Sequence, residues 1–271
     1  MKKLLTSIVL LALVFLLGAC GRDENVIRVG VTGAFNAHWD LIGEIVAEDG
    51  IIIEVVSFSD FSTPNRALND GDLDLNAFQH KAFLANEIAI HGYEIEYIAE
   101  TFLVPLNIFN NPARISSLDD LQDGHTIAMP SDPINTGRSL RLLESAGLIT
   151  LYIPEGETAS ELNIVERHVQ IEILPAEAGM LAGILPDIEA AIINGAQAFT
   201  AGLSPATDSI FREEITGEFR DGLTNVIAVR TTDLQDAERA RIFQIIVDAF
   251  HSPEVRQFIL DEFGGAFIPV W

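Results

Sequence analysis

The chain of 271 residues contains a single cysteine, Cys20. No intramolecular disulfide can form, and no Cys-rich metal site can be built. Lysine is nearly as scarce: beyond Lys2 and Lys3 only Lys81 occurs. Basic residues number 16 against 40 acidic ones, a formal charge of −24. That balance excludes a nucleic-acid binder, which needs a basic patch. It leaves the ligand open, because net charge bears on solubility and association. The familiar catalytic templates are missing too. There is no HExxH, no GxSxG, no P-loop and no GxGxxG after a strand. The six histidines are scattered, with no close pair at metal-ligand spacing. Neither an enzyme nor a metal or cofactor site is expected, and most of the carboxylates read as solvated faces.

The one long apolar run lies at the start, in MKKLLTSIVLLALVFLLGAC. Two lysines precede Leu4 to Leu17, followed by the small residues Gly18 and Ala19 and then Cys20. The run is short for a spanning helix, which needs about 20 residues. Its basic, apolar and small-residue regions are those of a signal peptide, over residues 1–19. The LGAC sequence resembles the bacterial lipobox, whose cysteine becomes the lipidated first residue of the mature chain. Residues 20–25 would form a short polar tether. The expected location is the extracytoplasmic face of the cell membrane, held by a lipid on Cys20. Without Lys2 and Lys3, 14 basic residues face 40 acids, a charge of −26.

The rest alternates strand and helix patterns. VIRVGV is a short apolar strand, followed by the loop TGAFN and a helical pattern through Trp39, Ile42 and Val46. IIIEVVSF is β-branched and reads as a largely buried strand, completing a right-handed βαβ unit. Thr63 can cap a helix that has Pro64 at its first position. DLDLNAF reads as a strand and a helix is expected from near His80 to His91. YEIEYIAE and FLVPLNIF read as two strands, the second interrupted by Pro105. SDPINTGRSLRLLESAGL is a loop running into a helix, VQIEIL a strand and AEAGMLAGIL a helix. IEAAII and NVIAVR are further strands, and two helices close the chain. So many βα units predict an α/β fold with helices on both sheet faces. Ligands in such folds bind beyond the carboxyl ends of strands.

Polar and aromatic residues at those places are the candidates. Asn135 and Arg138 fall in the loop and first turn of a helix that follows a strand. A helix N-terminus offers free N–H groups to a carboxylate, and Arg138 can add a charge-assisted grip. The alternative is a surface arginine paired with one of many acids. Asn194 ends one strand and Asn225 opens another. Either amide can accept from an ammonium and donate to a carboxylate, although each also suits a turn or cap. Phe61, Phe78 and Phe83 sit near strand ends, around His80 in the stretch LNAFQHKAFL. They read as core unless polar groups converge on them. His80 has no partner in sequence that marks a catalytic site, and Lys81 has no assigned role.

With these residues assembled, the chain resembles the NlpA family of methionine-binding lipoproteins of ABC importers. The likeness rests on FSDFSTPNRALNDGDLDLNAFQHKAF, IAMPSDPINTGRSLRLLESAGLI, AAIINGAQAFTAGLSPATDSIF and NVIAVR. It implies a two-lobed periplasmic-binding-protein fold of α/β class. Each lobe would be a mixed sheet flanked by helices, with two crossing strands between the lobes, near Pro105 and near Asn225. The implied first lobe is 26–104 with 225–271, and the second is 105–224. Ligand contacts carried over by position are Phe61, Phe78, His80 and Phe83 in the first lobe. In the second they are Asn135, Arg138 and Asn194, with Asn225 near the crossing. Arg138 would hold an α-carboxylate, the asparagines would orient carboxylate and ammonium, and the aromatic rings would sandwich an apolar side chain. The implied function is capture of L-methionine or a related apolar amino acid, without a cofactor, by a monomer that delivers it to a permease and its ATPase. Three departures are visible. Phe61 and Phe83 stand where the family usually has tyrosine, TGAFNAHWD replaces a TPGPHAE-like run, and TFLVPLNIF lacks the His and Glu of a THVEPxGxY segment. Another apolar amino acid, a short peptide, or a sensing or adhesive role without transport remain alternatives.

Overall fold

A computed structural model describes residues 25–33, 36–217 and 219–271. The expected signal peptide and the expected lipidation site Cys20 lie outside the described residues. In chain order the first half comprises β1 (Val26–Thr32), α1 (Ala37–Val46), β2 (Ile52–Phe58), α2 (Thr63–Asn69), β3 (Leu75–Asn76), α3 (Lys81–His91), β4 (Ile95–Leu103), β5 (Leu106–Asn110), β6 (Thr126–Pro130) and α4 (Pro133–Ser145). The second half comprises β7 (Ile149–Leu151), β8 (Ile164–Arg167), β9 (Glu172–Ala176), α5 (Leu181–Ile184), β10 (Ala190–Asn194), α6 (Gly195–Thr200), β11 (Ser209–Arg212), α7 (Phe219–Gly222), β12 (Thr224–Arg230), α8 (Ala237–Phe250), α9 (Pro253–Glu262) and β13 (Ile268–Pro269).

The strands form two large mixed sheets, one per lobe. The first runs β13-β4-β12-β3-β1-β2 and the second β11-β5-β10-β6-β9. In the first, β1 is parallel to β2 and β3, while β12 is antiparallel to β3 and β4. In the second, β6 is parallel to β10 and β9, and β5 is antiparallel to β10. Each sheet is covered on both faces. Trp39, Phe243, Phe250 and Ile259 from α1, α8 and α9 pack on one face of the first sheet. Leu68 and Leu84 from α2 and α3 pack on the other, against Val226 and Ala228. In the second lobe Leu140, Leu142 and Leu143 of α4 fill one side, and Leu181 and Ala198 the other. Each fully buried leucine or phenylalanine contributes about 1.5–3 kcal/mol, so these residues hold the sheets that aim the strand ends.

Several expectations change. The segment from Ile95 to Leu103 is one strand, not the end of one and the start of another. Pro105 falls after it, where the chain leaves the first sheet for the second. β2 is not buried: it is the edge of its sheet, with Ile52 and Val55 exposed. Its β-branched residues reflect strand propensity, which is not a measure of burial. The N-cap of α2 is Ser62, one residue earlier than expected, and the carboxylate of Asp60 accepts from the Ser62 and Thr63 amides at 2.9 and 2.8 Å. The AEAGMLAGIL segment is not one helix. It breaks into short turns on either side of α5, and Pro186 follows. The hairpin β7–β8, and β11 and β13, have no strong alternation in sequence.

Candidate functional site

The cleft between the two sheets opens at the carboxyl ends of β1 and β3. Its interior cavity is small, about 60 Å³. Phe61, Phe78, His80, Phe83 and Asn225 line it from the first lobe. Asn135, Arg138 and Asn194 line it from the second. All eight residues singled out in the sequence therefore meet in one cavity.

The first-lobe wall is aromatic. Phe61 stacks on Phe78 with centroids 6.1 Å apart, and Phe83 meets both edge-on at 6.0 and 6.1 Å. Such spacings are the favoured offset and T-shaped arrangements. Buried amides fix this wall from behind. Asn65 donates to Gln79 at 2.7 Å, Gln79 donates back at 2.6 Å and to Asn76 at 3.0 Å, and Asn76 donates to Asn65 at 2.9 Å. The ring of amides ties the turn bearing Phe78 to α2 without leaving those groups unpaired.

His80 caps α3, its Nδ1 accepting the Phe83 amide at 3.1 Å. A neutral ring with an accepting Nδ1 carries its proton on Nε2. Burial, with the Arg138 charge adding to it, pushes the His80 pKa down to about 3. The ring is therefore neutral at physiological pH. Nε2 is buried without a hydrogen-bond partner among the described residues. Asn135 lies beside the ring and acts to raise its pKa, against the larger effect of burial. His80 is thus a donor turned toward the second-lobe corner, not a catalytic base. Its backbone bridges Asn225, which places that buried asparagine beside it.

The second-lobe wall is polar. α4 begins at Pro133, so Asn135 is in its first turn and Arg138 follows one turn later. The expectation of a helix N-terminus free for a carboxylate is corrected here. Asp132, the N-cap, accepts from the Asn135 amide at 2.8 Å and from its Nδ2 at 2.9 Å, so part of the helix start is already satisfied. The surface-pair alternative for Arg138 is half right. Arg138 does pair with an acid, Glu213, through Nε at 3.1 Å and Nη2 at 2.5 Å, but Arg138 is buried and Glu213 half-buried, so the pair does not lie on the surface. Nη1 and the Nδ2 of Asn194 both donate to the Asn135 Oδ1 at 3.2 Å. Asn194 occupies the N-cap position of α6 without capping it. Its Oδ1 is buried without a partner among the described residues, an acceptor suited to an ammonium.

Other participants had no signal in sequence. Asn36, His38, Phe102 and Phe267 also line the cavity. His38 is enclosed by Trp39, Phe102, Phe250 and Phe263 at 5.8–6.0 Å, and burial lowers its pKa to about 3. Lys81 gains a role: its Nζ lies 2.6 Å from both Glu100 on β4 and Asp221 on α7, fastening the return crossing to the first lobe. Two glycines mark where the lobes touch. A Cβ on Gly33 would meet Thr200 Oγ1 at 2.6 Å, and one on Gly179 would meet the Ser59 carbonyl at 2.4 Å. The cleft is closed.

Comparison with known proteins places this geometry. Residues 27–271 match the family model of the NlpA lipoprotein. A Salmonella typhimurium protein named D-methionine-binding lipoprotein MetQ is 38% identical over 262 residues, covering 94% of this chain and 93% of that relative. The solved substrate-binding protein of a methionine transporter from Streptococcus pneumoniae superposes with a TM-score of 0.85 at 30% identity, over 92% of this chain and 96% of that one. A nutrient-binding protein from Burkholderia cenocepacia, solved bound to methionine, gives 0.82 at 33% identity, over 90% of this chain and 100% of that one.

Proposed function

The chain belongs to the NlpA lipoprotein family, and from that premise we propose that it captures L-methionine, or a related apolar amino acid, and delivers it to an ABC importer. The observation that carries this reading is one closed cleft with an aromatic wall opposite a buried, hydrogen-bonded arginine. Arg138 and the Nε2–H of His80 hold the α-carboxylate. The Oδ1 of Asn194 takes the ammonium, with Asn225 beside it. Phe61, Phe78 and Phe83 enclose the side chain, whose burial is worth about 1.5–3 kcal/mol. Sulfur on an aromatic ring adds roughly 0.3–1.5 kcal/mol.

Contacts from both lobes exist together only in the closed form, so the ligand shifts the population toward closure. The lobes are 26–104 with 225–271, and 105–224. The protein performs no chemistry on its ligand; a permease and its ATPase supply transport. A lipid on Cys20 holds the monomer at the extracytoplasmic face of the membrane. Titration calorimetry of the mature domain with L-methionine, D-methionine, leucine and methionine-containing dipeptides tests the ligand. Saturable 1:1 binding of L-methionine is expected. Binding of dipeptides alone would replace the ligand and leave transport standing, and no binding of any of these would refute the reading.

A further inference from the structure

Arg138 spends most of its hydrogen-bonding capacity inside the protein. A guanidinium has five N–H donors. Nε and one Nη2 donor go to Glu213, the other Nη2 donor goes to the Val104 carbonyl at 3.2 Å, and one Nη1 donor goes to Asn135. One Nη1 hydrogen is left for a ligand. The bidentate fork that would match a carboxylate is already filled by a carboxylate of the chain. Glu213 is itself held: its Oε2 accepts the Leu106 amide at 2.8 Å, and its own amide donates to the Leu106 carbonyl at 2.9 Å. The pair is sheltered, with side-chain exposures of 9% and 13%, so solvent screens it weakly. His38 and His80 are neutral, so the lining contributes one positive charge and Glu213 cancels it.

We infer that Glu213 sets the charge class of the ligand: by occupying the fork of Arg138 it makes the carboxylate grip formally neutral, selecting a net-neutral zwitterion over an anion with the same side chain. This rests on the proposed amino-acid reading of the same cleft. An uncompensated buried guanidinium would draw any carboxylate strongly and gain nothing from an ammonium beside it. With Glu213 behind it, a lone carboxylate meets opposing charges. A ligand that brings its own ammonium restores the balance at the Asn194 acceptor. Glu213 is a positioning residue in this scheme, because it acts through Arg138.

The test compares two ligands with one side chain, L-methionine and its des-amino analogue 4-(methylthio)butanoate, by calorimetry on the whole mature domain. In Glu213→Gln, the preference for L-methionine over the analogue should fall by about tenfold or more, equivalent to about 1.4 kcal/mol. A merely structural role would weaken both ligands by one factor, and that outcome overturns the inference. Glu213→Asp keeps the charge and serves if the glutamine variant does not fold. It should weaken both ligands and keep the wild-type preference, and a preference that collapses in it would equally overturn the inference. Failure of the unaltered protein to bind L-methionine would sink the proposed function instead. Normal binding with an unmoved preference in Glu213→Gln sinks only the role of Glu213.

Discussion

The two walls of the cleft are made differently. The aromatic wall comes from one stretch of chain, Phe61 to Phe83, held by neighbours in that same stretch. The polar wall is assembled across long distances: Arg138 reaches Glu213 and Asn194 reaches Asn135, 75 and 59 residues apart. The first is apolar area, which is non-directional and forgiving. The second is a buried charge network, in which each member depends on the others. Truncating one partner of a buried, hydrogen-bonded charge pair costs about 2–5 kcal/mol. Arg138→Ala removes the remaining Nη1 donor and leaves the ligand carboxylate facing an unpaired Glu213, so it should weaken L-methionine binding about 100-fold or more. Phe78→Ala on the opposite wall should cost about tenfold, because its ring is one of three. Calorimetry on the two variants checks the contrast, and equal losses would erase the distinction between the walls.

The walls also have to meet, and the contact between the lobes gives a second way to probe them. Gly179 approaches the Ser59 carbonyl so closely that a methyl group there would collide with backbone. Overpacking of this kind costs about 1–3 kcal/mol, and here the cost falls only on the closed form. Gly179→Ala should bind L-methionine about tenfold more weakly, while the melting temperature of the ligand-free domain stays unchanged. A drop in ligand-free stability would mean that the lobes remain in contact without ligand. An unchanged affinity would mean that the side chain finds room and the contact limits nothing.

Legibility in the sequence follows the same division. The βα alternation, the helix starting at Pro253 and the aromatic cluster were readable, because period, caps and proximity are local signals. The eight ligand-site candidates came from strand-end positions and the family likeness together. Nothing local announced Glu213, which lies in the polar run REEITGEFRDGLT among many acids, or His38 among the aromatic residues of the first lobe. Lys81 looked idle because Asp221 is 140 residues away. The exposed edge strand β2 misled for the opposite reason: its local signal was strong, but its place in the sheet is decided by tertiary order. Pro105 marks a break in the sequence, although which sheet each flanking strand joins is fixed only by their distant partners.

Acid should separate the walls with the smallest effect on binding. His38 and His80 both belong to the first lobe, and both have pKa values lowered from 6.5 to about 3 by burial. Between those values the unfolded chain binds protons that the folded chain refuses, so stability rises with pH across that window and falls as the solution is acidified through it. Each histidine contributes about 1.4 kcal/mol per pH unit there, fully lost only near pH 3. Urea unfolding at pH 7, 6 and 5 should show this slope, and His38→Phe should remove one histidine's share of it. Over the same range the rings stay neutral in the folded protein, and Arg138 remains charged. Affinity for L-methionine should therefore be flat from pH 7 to pH 5 while stability declines. A binding curve with a midpoint near pH 6 would mean that His80 titrates in the folded cleft. The donor on Nε2 would then belong to an imidazolium, and the first-lobe wall would carry charge like the second.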